Sequence, residues 1–240
     1  MRLVFMGTPQ AAVASLQRLI ADGHEIAAVY TQPDRPSGRG QKLAASPVKQ
    51  VALEHGLDVR QPLKIKTVEA FDEFRGLKAD AAIVVAYGRI LPERWLTAFP
   101  QGAINVHFSL LPKYRGAAPV NWAIANGETQ TGVTTMQMDA GLDTGNILLQ
   151  RSVAIGPEEN AVALMARLSG LGADLLTETL ASLDTITPQA QDDAAATFAP
   201  IMKKEDGLID WSRSAREIAN RVRGFQPFPT SFTFLEGSRL

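Results

Sequence analysis

The chain has 240 residues, 45% of them hydrophobic and 20% charged, with a formal net charge of −1 and no cysteine. That length accommodates one large α/β domain, or a domain of about 200 residues followed by the start of another. The composition is that of a folded globular protein and excludes disorder, disulfides, thiolate zinc sites, cysteine nucleophiles and nucleic-acid binding through a globally basic surface.

No apolar run reaches the roughly 18 residues of a membrane span. The first strand-like run, Leu3 to Met6, starts so close to Met1 that a signal segment is not expected. A cytoplasmic protein without membrane association is therefore expected.

Short β-branched or apolar runs alternate with helical patterns through the first two thirds of the chain, which predicts βαβ units around a mostly parallel sheet. Strands are predicted at Arg2 to Met6, Glu25 to Tyr30, Ala81 to Ala86, Gly102 to His107 and Val133 to Met138. Helices are predicted between them at Ala11 to Ile20, Pro47 to His55, Val68 to Phe74 and Pro119 to Asn126. The first strand runs into Gly7, Thr8 and Pro9, a turn that could offer backbone N–H groups to an anion but lacks the full glycine-rich dinucleotide pattern.

From Arg35 to Lys49 the chain carries Arg35, Arg39, Lys42 and Lys49 without an acidic residue, in a loop broken by glycine and proline that could follow a phosphate backbone. Ser46 and Pro47 then supply a helix cap and a first helical residue. Further on, Glu159 to Leu183 has apolar residues at helical spacing and reads as a core helix. A polar connection follows Thr185, then a short amphipathic helix near Ser214 to Arg223.

The last segment, GFQPFPTSFTFLEGSRL, alternates like a strand and reaches a turn at Glu236, Gly237 and Ser238 with no later strand to complete a hairpin. The expected organisation is a main domain over 1–185, a linker over 186–205 and the start of a truncated second domain over 206–240.

Of three histidines, His55 before Gly56 reads as a helix end and His24 after Gly23 as a surface turn. His107 differs. In INVHFS the strand period of two puts Asn105, His107 and Ser109 on one face and Ile104, Val106 and Phe108 on the other. Polar groups at the carboxyl end of a strand are where open α/β sheets place ligand chemistry; a buried, satisfied histidine beside a turn-closing asparagine is the alternative. The next loop, LLPKYRGAAPVNW, is rich in proline and glycine, and MDAGLDTG returns Asp139 and Asp143 after another strand. Asp143 is the chosen partner for His107, although two aspartates can also merely close a turn.

A Ser/His/Asp hydrolase fits poorly, because Ser109 lies in an extended segment without a GxSxG elbow. An Asn/His/Asp set needs no covalent intermediate. Asn105 and His107 can donate to a developing oxyanion while Asp143 orients the imidazole and assists proton transfer, which suits direct amine attack on an activated acyl carbon.

At these residues the chain resembles the folate-dependent formyltransferases, whose shared pattern is Asn and His two apart, an SLLP loop and a later Asp. Here the pattern is Asn105, His107, the loop Ser109, Leu110, Leu111 and Pro112, and Asp143. The resemblance implies a Rossmann-like catalytic domain, the start of a C-terminal β-barrel domain, and Asn105, His107 and Asp143 as the catalytic set. The donor it implies is 10-formyltetrahydrofolate, whose pterin would lie against Ala86, Tyr87, Gly88 and the SLLP loop. No metal is implied.

TQPDRPSGRGQKLAASPVK, with MGTP before it and KKEDGLIDWS after it, is similar to the branch of the family that acts on methionyl-tRNA. There the basic loop embraces the acceptor arm of initiator tRNA, which gives Arg35, Arg39 and Lys42 a tRNA-binding role. A monomer is expected. Phe108 departs from the small residue often found at its position, and an amino-sugar formyltransferase or a noncatalytic Rossmann-like binding protein remain the rival readings.

Overall fold

A computed structural model of the protein describes residues 1–37 and 42–240, and the side chains of these except Ser37 and Lys42. The chain opens with β1 (Arg2–Gly7), a 3-10 turn, α1 (Val13–Ala21) and β2 (Glu25–Tyr30). Next come β3 (Arg35–Ser37), β4 (Lys42–Ala44), α2 (Pro47–Glu54), β5 (Val59–Arg60), α3 (Val68–Arg75) and β6 (Ala81–Val85). They are followed by α4 (Glu93–Leu96), β7 (Ala103–His107), β8 (Arg115–Gly116), α5 (Pro119–Ala125), β9 (Gln130–Gln137), β10 (Ile147–Ala154) and α6 (Ala161–Ala181). The last elements are β11 (Phe198–Ala199), α7 (Ala215–Gly224), β12 (Phe234–Leu235) and β13 (Ser238–Arg239).

Seven strands form one sheet in the order β10-β9-β7-β6-β1-β2-β5. From β5 to β7 all neighbours run parallel, as the alternation of strands and helices predicts, while β9 is antiparallel to β7 and β10 antiparallel to β9. The architecture is the expected Rossmann-like one. The sequence reading missed β10, whose apolar run is only Ile147 to Leu149 before exposed Gln150, Ser152 and Ala154 interleave with half-buried residues at the sheet edge.

The period of two along each central strand divides the core into two layers. Leu3 and Phe5 of β1, and Ile83 and Val85 of β6, pack with α1, α2, α5 and α6 on one face. Val4, Met6, Ala82 and Val84 pack with Phe74 of α3 and Trp95 of α4 on the other. Each large apolar side chain removed from water contributes about 1.5–3 kcal/mol, so this double layer makes the sheet a rigid platform. Caps set the helix starts: Ser46 accepts from Lys49 N, Thr67 from Ala70 N and Asn160 from Ala163 N, and Ser214 forms a capping box with Glu217.

The C-terminal stretch differs from its strand-like appearance. Pro227 and Pro229 have no backbone donor, and strand is confined to the short pieces Phe234–Leu235 and Ser238–Arg239. The expectation that its turn lacks a partner is corrected: β12 pairs antiparallel with β13, Phe234 opposite Arg239 and Leu235 opposite Ser238. Glu236 and Gly237 have φ of 48° and 80°, the left-handed pair that closes a two-residue hairpin. Residues 186–205, expected as a plain linker, also pair: Gln189 exchanges two 2.8 Å backbone bonds with Ile147, and β11 lies parallel to β8. No helix among the described residues is long and apolar enough to cross a membrane.

Candidate active site

Because β6 lies between β1 and β7, the turns after these three strands open at one edge of the sheet. On β7 the two faces divide as the strand period requires. Ile104, Val106 and Phe108 enter the core layer with α6, where Gly172 of α6 lets β7 approach closely, since a Cβ there would stand 3.0 Å from Val106 Cγ1. Phe108 therefore fills core on the face opposite Asn105 and His107, which explains how a large residue is accommodated.

Asn105 and His107 are buried, at 9% and 7% exposure. Asn105 Nδ2 donates to Val84 O at 3.0 Å, which fixes the carboxamide and leaves its second hydrogen uncommitted. Among the described residues no hydrogen-bond partner meets the buried Asn105 Oδ1, an unusual state for a buried amide oxygen. His107 Nε2 lies 2.9 Å from Tyr114 O; a carbonyl can only accept, so Nε2 carries the hydrogen. The ring's other nitrogen, Nδ1, faces Asp143 Oδ2 at 3.8 Å. This gap is too long for a direct hydrogen bond and places the carboxylate beside the ring.

Asp143 is held in turn. Its Oδ2 accepts from Gly116 N at 2.8 Å, and Gln191 Nε2 donates to the backbone oxygens of Asp143 and Gly145 at 2.9 and 2.7 Å. Asp139 instead closes its own turn, accepting from Gly141 N and Thr144 Oγ1. Of the two aspartates, Asp143 is the one within 3.8 Å of His107. Three non-glycine residues around the site have positive φ: Ala86 at 47°, Tyr114 at 61° and Asp143 at 53°. Such backbone costs energy unless the surroundings enforce it.

Ala86, Tyr87 and Gly88 line a hollow of about 510 Å³ with Thr8, Gln32 and Arg35. Tyr87 O accepts from Thr8 Oγ1 and Gln32 Nε2, both at 3.0 Å, and Gln32 Oε1 accepts from Arg89 Nε at 3.0 Å. The Tyr87 phenol is pushed up to about 12 by burial and stays neutral.

The SLLP residues behave differently. Ser109 Oγ donates to Lys113 O at 2.6 Å, Thr134 Oγ1 donates to Ser109 O, and Leu111 N donates to Thr134 Oγ1. Leu111 is buried, the Leu111–Pro112 peptide is cis, and Leu110 lines a separate hollow with Tyr114 and Glu128. The polar groups of Ser109 and Leu111 thus bond within the protein.

In the basic loop, Arg35 is exposed on the rim of the larger hollow and the backbone of Lys42 pairs with Ser37. Arg39 lies outside the described residues. Lys49 serves the loop's base, since its Nζ bonds Asp34 Oδ2 at 2.6 Å and Gln61 Oε1 at 2.8 Å. Among the described residues, no group of three or more His, Asp or Glu could hold a metal ion.

Sequence reasoning missed Tyr114, Gly116 and Gln191, which touch the site through backbone groups or from a distant segment. Only the glycine and proline content of the 110–122 loop signalled a shaped turn there. His55 sits at the C-cap of α2 before Gly56 with φ of 66°, as expected, and His24 meets the N-terminal amine at 3.3 Å.

With this geometry in place, known proteins resemble the chain along its length. Residues 1–180 match the family described as formyl transferase, and residues 201–240 match the formyl transferase C-terminal domain. The methionyl-tRNA formyltransferase of Solibacter usitatus is 58% identical over 242 residues, which cover 100% of this chain and 78% of the relative. That of Geobacter sulfurreducens is 53% identical over 242 residues, 100% of this chain and 76% of the relative.

Among solved structures, an N-formyltransferase from Helicobacter canadensis in complex with folinic acid and dTDP-3-aminofucose matches with a TM-score of 0.76 at 23% identity, covering 99% of this chain and 85% of its own. HypX from Aquifex aeolicus in complex with tetrahydrofolic acid matches with a TM-score of 0.71 at 17% identity, covering 100% of this chain and 36% of its own. At such identities these two structures support the fold. The family match and the relatives at more than half identity carry more: the chain belongs to the formyl transferase family and is a formyltransferase.

Proposed function

We propose that the chain transfers the formyl group of 10-formyltetrahydrofolate to the α-amino group of methionyl-initiator tRNA. The observation that carries this reading is the half-satisfied, buried carboxamide of Asn105 beside the His107 and Asp143 pair. Similarity to the two bacterial methionyl-tRNA formyltransferases along the whole chain supports the acceptor. The Helicobacter canadensis structure, which holds dTDP-3-aminofucose, is only 23% identical and does not argue for a sugar acceptor.

In this reading the second Nδ2 hydrogen of Asn105 donates to the formyl oxygen as it becomes an oxyanion, and Asn105 Oδ1 accepts from the attacking amine. An unperturbed α-amino group has a pKa of about 7.7 to 8.0, so a neutral fraction is present near pH 7. A nitrogen–carbon bond forms to the amine and the bond from the formyl carbon to N10 breaks. The amine's proton passes to the His107 Nδ1 and Asp143 side of the site and is returned from there to N10 as it leaves, so that His107 ends neutral. His107 Nε2 stays on Tyr114 O, which keeps Nδ1 turned toward Asp143. The imidazolium formed midway is a cation beside the oxyanion, opposed by the Asp143 carboxylate.

The donor's pterin lies against Ala86, Tyr87 and Gly88, with the SLLP loop shaping the site from behind. Arg35, Arg39 and Lys42 follow the phosphates of the acceptor arm. Asn105→Ala tests the reading: turnover is expected to fall on the order of 10² to 10³-fold. A folded variant with near wild-type turnover would remove Asn105 from the chemistry.

A further inference from the structure

The region between the two family-matched segments makes contacts that no simple connection would need. From Gln189 to Ala199 it touches both loops that meet His107. Gln189 bridges Ile147, just past the Asp143 turn, and β11 pairs with β8, just past Tyr114. Between these anchors sits Gln191. Its Nε2 donates to Asp143 O at 2.9 Å and Gly145 O at 2.7 Å, and its Oε1 accepts from Arg115 Nε at 3.0 Å and Nη2 at 2.8 Å. One carboxamide thus uses both donor hydrogens and its acceptor to tie the two loops together.

The Arg115 end of this tie is costly to break. Arg115 is 4% exposed, and its other side-chain partner is Asp193 at 2.8 Å, whose side chain is 82% exposed. Removing the Gln191 acceptor leaves a buried guanidinium poorly satisfied. On the other side, Asp143 has φ of 53°, so its turn rests on outside contacts for its shape.

We propose that Gln191 is a positioning residue for formyl transfer: it sets the distance between the Asp143 carboxylate and His107 by holding the Asp143 turn to the Tyr114–Gly116 loop. The inference rests on the reading of Asn105, His107 and Asp143 given above. It goes beyond that reading by giving the segment before residue 201 a part in the geometry of the reaction.

Gln191→Glu separates this role from a purely structural one. A carboxylate keeps both Arg115 bonds, with added charge, but cannot donate to Asp143 O and Gly145 O. The protein is expected to fold with a somewhat lower melting temperature, because a carboxylate oxygen then faces two carbonyl oxygens, while kcat falls on the order of 10 to 10²-fold, the scale of a small misplacement at a reacting centre. KM for methionyl-tRNA is expected to change by less than about threefold, since the loop that meets tRNA is untouched. The imidazole nitrogen resonances of His107, assigned with His107→Gln, are expected to shift in the variant.

Wild-type kcat in Gln191→Glu would overturn the proposal. Should the unmodified chain transfer no formyl group, the functional reading fails separately and the imidazole spectrum still decides for Gln191. A shifted His107 signal upholds the positioning role, and an unchanged one refutes it.

Discussion

Replacing Asp143 by Asn removes a charge while keeping almost everything else. Asn tolerates the positive φ of 53° at this position, and its amide oxygen can still accept from Gly116 N. The carboxylate stands 3.8 Å from His107 Nδ1, with side-chain exposures of 17% and 8%. At that distance, with an effective dielectric constant of about 20, a carboxylate and an imidazolium attract by about 4 kcal/mol. Partial exposure of Asp143 reduces this, and only the part gained between ground and transition state affects rate. A loss of roughly 3 to 4 kcal/mol corresponds to a fall in kcat on the order of 10² to 10³-fold. Single-turnover transfer from bound 10-formyltetrahydrofolate, with the melting temperature measured on the same sample, is the assay. A folded Asp143→Asn protein whose rate stays within about threefold of wild type would refute the charge-coupling argument.

Gly116→Ala should disturb site and scaffold together: φ is 119°, and an added Cβ would stand 2.7 Å from Ala199 O. A loss of about 1 to 3 kcal/mol is expected, read as a lower melting temperature, with a further loss of turnover because Gly116 N holds Asp143; an unchanged melting temperature would contradict the close approach. Glu159 gives a pH-dependent test, since its hydrogen bonds from Arg167 and from Gly156 N hold its carboxyl below the ordinary value of 4.5. Its contribution is therefore fully present above pH 4.5 and is lost as pH falls through the depressed folded value. Glu159→Gln should be less stable by about 1 kcal/mol at pH 7, and its denaturation curves should converge with wild type in acid; a constant difference down to pH 3 would rule this out. Arg35→Ala should weaken tRNA use and its salt dependence while leaving folate binding unchanged, and equal loss in both assays would reject a tRNA-specific role.

The central strands and helices were legible because each must bury a face at a fixed period. The alternation of Leu3 and Phe5 with Val4 and Met6 reports two core layers, and INVHFS reports one apolar and one polar face in the same way. The helix start at Ser46 was legible because capping is local chemistry, and the helix near Ser214 to Arg223 because its apolar residues keep a helical period. What escaped depends on distant pairing. β10 is an edge strand whose partner, β9, forms its ladder through backbone groups that carry no side-chain signature. The hairpin at 234–239 was read as an unfinished strand because a pair of two-residue strands leaves almost no period to detect. In the site, Asn105, His107 and Asp143 could be proposed from residue type and position. Gln191 could not, since a glutamine in a polar stretch acquires meaning only when the fold brings it to Arg115 and the Asp143 turn.

The most direct measurement is incubation of the chain with 10-formyltetrahydrofolate and methionyl-initiator tRNA, following formyl-methionine on acid gels beside an uncharged-tRNA control. Formylation of the charged tRNA alone is expected. Absence of transfer, on a sample shown by titration to bind the folate, would contradict the proposed acceptor; absence of folate binding would contradict the site itself.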